Sequence, residues 1–162
     1  MDGNGVVELQ LVGVRVELPT NQPIVLLRER EGERFLPIWI GAVEATAIAF
    51  ALQGIVTPRP MTHDLLKNVI ELLNVQVSRI VITELKDSTF YATIELEHDG
   101  SKIEVSSRPS DAIALAVRAN VPIFGSTEVL AEAAIEIRDD EEQEVEKFRE
   151  FLEQVNPEDF AS

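Results

Sequence analysis

The order of strand-like and helix-like segments most constrains the fold of this chain of 162 residues. Three β-rich runs, at Val75–Leu85, Thr89–Glu97 and Lys102–Ser107, are separated only by short turn sequences, which is typical of an antiparallel meander. Apolar and polar residues alternate over Val6–Leu18, which predicts a half-buried strand. Two apolar runs then flank a charged segment that contains Gly32, so a hairpin is predicted there.

Helix-like segments lie among these strands without a regular strand–helix–strand rhythm. Residues 41–52 are rich in alanine and apolar nearly all round, so we expect a buried helix. A second helix is predicted over His63–Leu73 with Thr62 as its cap, and a third over Pro109–Ala119, ending at Asn120. This irregular order favours an α+β fold over a doubly wound sheet.

Three finer expectations concern a short strand, a short helix and the face of the second helix that packs in the core. Val121–Phe124 is a candidate for a short strand, and a short helix is predicted over Thr127–Ala134 with Ser126 or Thr127 as its cap. The apolar residues of the second helix share one face, which we expect to pack in the core. They are Leu65, Leu66, Val69, Ile70, Leu72 and Leu73.

Acidic residues are concentrated near the C-terminus of the chain. The formal net charge is −15, and residues 139–162 contribute −8 of it, which leaves −7 for residues 1–138. Val145, Phe148, Leu152 and Val155 recur at helical spacing within this acidic segment. We therefore predict a domain over 1–138 and an acidic amphipathic helical tail over 139–162. The tail packs either on its own domain or on a partner subunit.

Composition excludes several classes of protein and site. The chain contains no cysteine, which rules out disulfides, thiol nucleophiles and Cys-ligated metals. Only His63 and His98 are present, so any divalent cation has to be held by carboxylates and water, which suits Mg²⁺, Mn²⁺ or Ca²⁺ better than Zn²⁺. No secretory signal or membrane-length apolar run is evident, so we expect a cytoplasmic protein without a membrane partner. No basic stripe is present to grip a long nucleic acid duplex.

Three places combine charged residues with a predicted helix start. Glu44 is the only charged residue between Phe35 and Pro58, and it is either a site residue or a carboxylate that serves the helix dipole. The segment Arg59-Pro60-Met61-Thr62-His63-Asp64 combines a base, an imidazole and an acid beside free backbone N–H groups. Such a segment suits an anion site, or it is an ordinary capped helix start.

The third place is Ser106-Ser107-Arg108-Pro109-Ser110-Asp111, where a predicted strand ends and a predicted helix begins. Capping explains Ser110 and Asp111, but Arg108 is disfavoured by the positive end of the helix dipole unless an anion or carboxylate faces it. We expect Arg108 to pair with Glu44, Asp64 or Asp111, or else to bind a ligand.

These three places carry a resemblance to a known family. Leu36-Pro37-Ile38-Trp39-Ile40-Gly41 leading to Glu44-Ala45, then residues 59–64, then residues 107–116 resemble the motifs of the bifunctional nuclease domain family, in family order and at family spacing. The resemblance covers about residues 6–137. It implies an α+β fold with a bent, largely antiparallel mixed sheet and packed helices. It also implies cleavage of both RNA and DNA, a divalent metal, and a homo-oligomer, of which a dimer is the favoured form.

The resemblance also implies roles for the site residues. In the leading hypothesis Glu44, Asp64 and Asp111 ligate Mg²⁺ or Mn²⁺, and His63 acts as general acid or base. The substrate-binding residues are then Arg59, Arg108 and Ser110, and the two arginines hold the scissile phosphate. Relatives often carry Asp where Ser106 stands, so a metal ligand at that position would be missing here.

Two other functions remain open at this point. One is a non-enzymatic oligomeric binding or regulatory module whose polar cluster is a structural ion-pair network. The other is a small-molecule or nucleotide-binding domain, which predicts a phosphate at the Pro109 helix start and a pocket too narrow for a polynucleotide.

Overall fold

A computed structural model describes residues 5–17 and 19–136. The predicted tail over 139–162 lies outside these residues. Within them, one sheet of eight strands is accompanied by four helices, which confirms the α+β expectation. The strands are β1 Val6–Glu17, β2 Gln22–Glu29, β3 Arg34–Trp39, β4 Gln76–Lys86, β5 Thr89–His98, β6 Ser101–Ser107, β7 Ile123–Ser126 and β8 Ile135–Glu136. The helices are α1 Ala42–Leu52, α2 Thr62–Leu72, α3 Pro109–Ala119 and α4 Thr127–Ala133.

The sheet is mixed and largely antiparallel, with strand order β6-β5-β4-β7-β1-β2-β3-β8. The predicted meander (β4–β6) and the predicted hairpin (β2–β3) are both present. Two-residue turns join the meander strands, and both residues of each turn have positive φ, as hairpins of this twist require. These turns are Asp87-Ser88 and Asp99-Gly100.

β7 joins the two halves of the sheet. It pairs parallel with β4 and antiparallel with β1, so it connects the meander to the strands from the first part of the chain. The sequence predicted a short strand over Val121–Phe124, and the observed strand begins and ends two residues later. The two-residue strand β8, which pairs with β3, was not predicted.

α3 is the most buried of the described helices. Its residues Ala112–Ala116 are wholly buried, and it contacts α1, α2 and the strands β4 and β5. The small side chains of Ala45 and Ala47 on α1 are buried as well, which allows α1 and α3 to approach closely. As predicted, Pro109 begins α3 and Asn120 ends it in the left-handed conformation.

The prediction that α1 is buried all round was wrong. Ala45, Ala47 and Ile48 are buried, but Val43 and Leu52 are exposed, because only one face of the helix meets α3 and the sheet. Apolar composition shows that a helix face is suited to burial, but it does not determine whether another element packs against that face.

The predicted core face of α2 was also wrong. Of its six apolar residues only Ile70 is buried, and Leu72 is 82% exposed. The buried face is formed instead by His63 and Ile70, which lie seven residues apart on the side that meets α3. The hydrogen bonds of His63 with Asp111 and of Asp64 with Arg118 also join α2 to α3, whereas most of the apolar stripe of α2 is exposed.

The helix caps agree with the sequence in part. Ser126 caps α4, since its Oγ accepts a hydrogen bond from the Val129 N–H at 3.1 Å. Thr62 does not cap α2: the helix begins at Thr62, and the Asp64 carboxylate accepts a hydrogen bond from the Met61 N–H at 2.9 Å. A carboxylate at this position satisfies a backbone N–H donor and interacts favourably with the positive end of the helix dipole.

The helices within residues 5–17 and 19–136 are all short, at eleven residues or fewer. None of them is long and apolar enough to cross a bilayer.

Candidate functional site

The first turns of α1, α2 and α3 meet at one polar cluster. Arg108, just before α3, donates from Nε to Asp111 Oδ2 at 2.9 Å and from Nη1 to Glu44 Oε1 at 3.1 Å. The other oxygen of Asp111, Oδ1, lies 2.9 Å from His63 Nε2. We call Glu44, His63, Arg108 and Asp111 the Arg108 cluster. The three motif segments thus contribute to one site, and the predicted pairing of Arg108 with Glu44 or Asp111 is confirmed for both.

Exposure changes steeply across the Arg108 cluster. The side chain of Arg108 is 65% exposed, that of Asp111 is half-buried, and that of His63 is only 8% exposed. Arg108 can therefore meet a ligand from solvent, Asp111 lies at the boundary, and His63 lies behind it. An acid or base that touches substrate must be within hydrogen-bond reach, and in this cluster Asp111 meets that condition better than His63.

Asp111 is held in its ionised form. Burial raises the pKa of its carboxyl group, but hydrogen bonds from Arg108 and His63 outweigh burial, and the net effect is a lowered pKa. Because an ionised carboxylate only accepts hydrogen bonds, Nε2 of His63 carries the proton that it shares with Asp111. The pair therefore has a defined donor and acceptor.

Gly41 makes room for the Glu44 carboxylate. A Cβ atom at position 41 would lie 2.7 Å from Glu44 Oε1, the same oxygen that accepts from Arg108. The backbone φ of Gly41 is −78°, which any residue can adopt. The glycine is thus needed for space and not for conformation, and an alanine there would displace Glu44 from Arg108.

Asp64 belongs to a different network. Its Oδ1 accepts from Arg118 Nε at 2.7 Å, and the side chain of Arg118 is 8% exposed. Arg118 also donates to the carbonyl oxygens of Ala47 on α1 and Ala114 on α3, each at 3.0 Å. This one guanidinium therefore connects α1, α2 and α3. Hydrogen bonds from the Met61 N–H and from Arg118 lower the pKa of Asp64.

Arg118 was missed by the sequence interpretation. One signal in the sequence could have found it. Arg118 lies seven residues after Asp111 on a mostly apolar helix, and residues seven apart share one helix face. No motif or adjacent charge in the sequence distinguishes it from an ordinary basic residue in the last turn of a helix.

The other two predicted substrate-binding residues, Arg59 and Ser110, lie outside the Arg108 cluster. Arg59 is exposed, and within residues 5–17 and 19–136 its guanidinium has no hydrogen bond or ion pair with the Arg108 cluster. Ser110 is buried and lies in the wall of a cavity of about 350 Å³ that opens beside Arg108.

The predicted metal ligands are not arranged as a metal site. Among the described residues, no group of three or more His, Asp or Glu side chains could hold a metal ion. Asp64 is bonded to Arg118, while Glu44 and Asp111 are both bonded to Arg108. A three-carboxylate site for Mg²⁺ or Mn²⁺ does not fit this arrangement, because Asp64 does not form one group of ligands with Glu44 and Asp111.

Comparison with known proteins identifies the class to which this fold and site belong. Residues 25–138 match the family model of the bifunctional nuclease domain, so the chain belongs to this family. An uncharacterized protein of Mycobacterium tuberculosis is 47% identical over 164 residues, which cover 96% of this chain and 98% of the relative.

Two plant relatives have names that describe an activity. "Bifunctional nuclease 1" of Oryza sativa subsp. japonica is 33% identical over 103 residues, covering 62% of this chain and 31% of its own length. "Bifunctional nuclease 2" of Arabidopsis thaliana is 30% identical over 112 residues, covering 65% of this chain and 34% of its own. The chain thus matches about a third of the length of these plant proteins.

Replacement of Arg118 tests the network that joins the helices. We expect Arg118→Ala to lower the free energy of unfolding by about 2–3 kcal/mol, because a buried cation with three acceptors is lost and Asp64 loses its partner. Thermal and urea denaturation measure this change. Arg30→Ala is the matched control, since Arg30 pairs with Glu8 on the surface and its loss should change stability by less than about 0.5 kcal/mol. Equal effects of the two variants would contradict the role of Arg118.

The lowered pKa values of Asp64 and Asp111 predict an acid-sensitive fold. The unperturbed pKa of these carboxyl groups is 3.8, and the pKa of each is lower in the folded chain. Their ionisation therefore stabilises the folded chain fully above about pH 4, and this stabilisation is lost as the pH falls through the pKa values of the folded chain. We expect Asp64→Asn to lower the melting temperature at pH 7 and to lower it less at pH 3, below the unperturbed pKa. A melting-temperature difference between wild type and variant that is the same at both pH values would contradict this linkage.

Proposed function

We propose that the protein is a nuclease that hydrolyses phosphodiester bonds of RNA and DNA at the Arg108 cluster. The observation that carries the proposal is the convergence of all three family motif segments on four side chains beside an open cavity. Membership of the family and the names of the plant relatives support the reaction class.

The chemistry assigns a separate task to each group. DNA lacks the 2′-hydroxyl, so that group cannot be the nucleophile for both polymers, and in this proposal the nucleophile is water. Asp111 accepts one proton of the attacking water as the water oxygen bonds to phosphorus, and the bond from phosphorus to the leaving oxygen breaks. The leaving oxygen takes a proton from solvent water, and Asp111 returns its proton to solvent. Arg108 stabilises the negative charge that develops on the phosphate oxygens. Because the pKa of Asp111 is lowered, it is a weak base, and slow turnover is expected.

His63 supports Asp111 in this scheme. Its side chain is nearly fully buried, and its Nε2–H donates to the carboxylate oxygen that Arg108 does not use. We therefore assign His63 as a positioning residue that orients Asp111. Glu44 orients Arg108 from the opposite side, and Ser110 lies in the wall of the adjoining cavity.

The roles of Asp64, Arg59 and a metal remain predictions. Asp64 participates through α2, which it anchors to Arg118. Arg59 is exposed at the entrance to α2, where it is available to a longer substrate. Dependence on Mg²⁺ or Mn²⁺ is tested directly by the effect of EDTA on cleavage.

A second candidate is a non-enzymatic oligomeric binding or regulatory module. The observation that favours it is the closure of Arg108 on two carboxylates, Glu44 and Asp111, which is what a structural ion-pair network would show. This alternative predicts that purified wild-type protein has no cleavage activity above background.

We also propose that the protein forms a homo-oligomer, with a dimer as the favoured form. The apolar residues of α2 lie on one stripe, and most of them are exposed; Leu65, Val69, Leu72 and Leu73 form its centre. A contiguous apolar stripe on one helix is typical of a surface that packs against a partner.

Cleavage of labelled single-stranded RNA and DNA tests the nuclease proposal. Arg108→Ala and Asp111→Asn should each reduce the rate by about 100-fold, since one removes charge stabilisation and the other removes the proton acceptor. Gly41→Ala should give a smaller loss, because it only displaces Glu44. Arg30→Ala, an equally solvent-facing arginine paired with a glutamate, should cleave at the wild-type rate.

Contaminating nuclease is the main confounder, and the variants control for it. Activity that is equal in wild type, Arg108→Ala and Asp111→Asn comes from a contaminant and contradicts the proposal. Wild-type protein that is folded but inactive on both polymers, with and without Mg²⁺ or Mn²⁺, supports the non-enzymatic alternative.

The oligomer is tested by light scattering after size-exclusion chromatography. Wild type should have a mass of at least two chains of 18.0 kDa, and Leu72→Asp should shift it to one chain. Because Leu72 is 82% exposed, the substitution should leave the fold intact. Val16→Asp, at an exposed apolar position on β1, is the control and should keep the wild-type mass. A monomeric wild type would contradict the proposal.

A further inference from the structure

The cavity beside Arg108 has the size and lining of a small-molecule site. It has a volume of about 350 Å³, near the lower end of the range for small-ligand pockets. Its walls come from the end of β3, the turn between β4 and β5, and the first turn of α3. Trp39, Ser88, Arg108 and Ser110 are among the residues that line it.

Trp39 is the most conspicuous residue in this wall. It is the only tryptophan in the chain, and 55% of it is exposed. It ends β3, where Leu36 and Ile38 alternate into the core and Trp39 lies on the other face of the strand. A large aromatic surface left open at a cavity is suited to stacking against a flat ligand, and nucleobases stack on such platforms regardless of sequence.

Arg108 supplies a donor at the same cavity. Its Nε and Nη1 atoms are bonded to Asp111 and Glu44, whereas Nη2 has no hydrogen-bond partner within the described residues. Nη2 can therefore donate to a phosphate oxygen. Two carboxylates already offset the charge of Arg108, so its attraction for phosphate is reduced. Stacking on Trp39 has to supply a large part of the affinity.

Polar groups complete the lining. Ser88 has a φ of +62° in the two-residue turn between β4 and β5, at a position where glycine is the favoured residue. The turn nevertheless carries a hydroxyl group at the cavity wall, and Ser110 provides another. Hydroxyl groups can donate to or accept from the edge of any base.

We propose that this cavity binds one unpaired nucleobase, stacked on Trp39, with the adjoining phosphate on Arg108. A base inside a duplex has both of its faces covered by its neighbours and is not available for stacking. The substrate class is therefore single-stranded nucleic acid, RNA or DNA. The assignment of a polymer as substrate rests on the proposed nuclease function, whereas base binding itself does not.

Fluorescence of the single tryptophan reports directly on this subsite. Adenosine 5′-monophosphate should quench Trp39 emission in a saturable manner at millimolar concentrations or below, because the base stacks on the indole. Inorganic phosphate, which has no base, should leave the emission unchanged. Absence of quenching by adenosine 5′-monophosphate would overturn the proposal.

Calorimetric binding of the same nucleotide separates stacking from other contacts. Trp39→Ala should weaken binding by about tenfold or more, and Trp39→Phe should restore most of it, because a ring is kept. Arg108→Ala should weaken binding less than Trp39→Ala does. The control Arg30→Ala should bind as wild type. Wild-type affinity in Trp39→Ala would overturn the stacking role. Because Trp39 is partly exposed, the substitution should leave the fold intact, and melting curves check this.

Cleavage assays distinguish failure of this inference from failure of the nuclease proposal. For an active enzyme, wild type should prefer a single-stranded oligonucleotide to the same strand in a duplex, and Trp39→Ala should raise KM for the single strand with a smaller effect on kcat. Nucleotide binding at Trp39 without cleavage of any polymer would overturn the nuclease and leave the base-binding subsite. Cleavage without quenching would overturn the subsite and leave the nuclease.

Discussion

The hydrogen bonds of Arg118 are the constraint on which the arrangement of the helices depends. This buried guanidinium is satisfied only when α1 provides the carbonyl of Ala47, α2 provides Asp64, and α3 provides the carbonyl of Ala114. An unpaired buried cation is costly, so the three helices are held in the one arrangement that supplies all its acceptors. Seven residues earlier on the same face of α3, Asp111 meets His63 of α2 and Arg108, which in turn reaches Glu44 of α1. The anchored helices therefore deliver their first turns to the Arg108 cluster.

The Arg108 cluster has two features that a purely structural ion-pair network does not require. Its arginine is exposed and its histidine is buried, so one end is open to a ligand while the other end is rigid. The adjoining cavity brings an exposed tryptophan next to that arginine. Positioned charges on helix starts, supported from behind by buried hydrogen bonds, are what preorganised sites require.

Prediction from sequence succeeded where the signal was local. The meander and its two-residue turns, the hairpin β2–β3, and the ends of α3 followed from residue types whose backbone preferences act over a few positions. It failed for α2, because the apolar spacing indicated which residues share a face but not which face meets the core. The pairing of Arg108 was predicted because a cation at a helix start needs a counter-charge. The sequence did not predict that Glu44 and Asp111, and not Asp64, would be its partners.

The amino-acid sequence by itself determined the α+β class, most element bounds, the family, and the three segments that carry the charged residues. Only the tertiary structure decided that β7 joins the two halves of the sheet, that Arg118 takes Asp64 away from the Arg108 cluster, and that Trp39 borders a cavity beside Arg108. The reason is physical. Turns, caps and periodicity depend on neighbours within a few residues, whereas each of these three features joins groups that are distant along the chain and whose approach is selected by packing and by satisfaction of buried polar atoms.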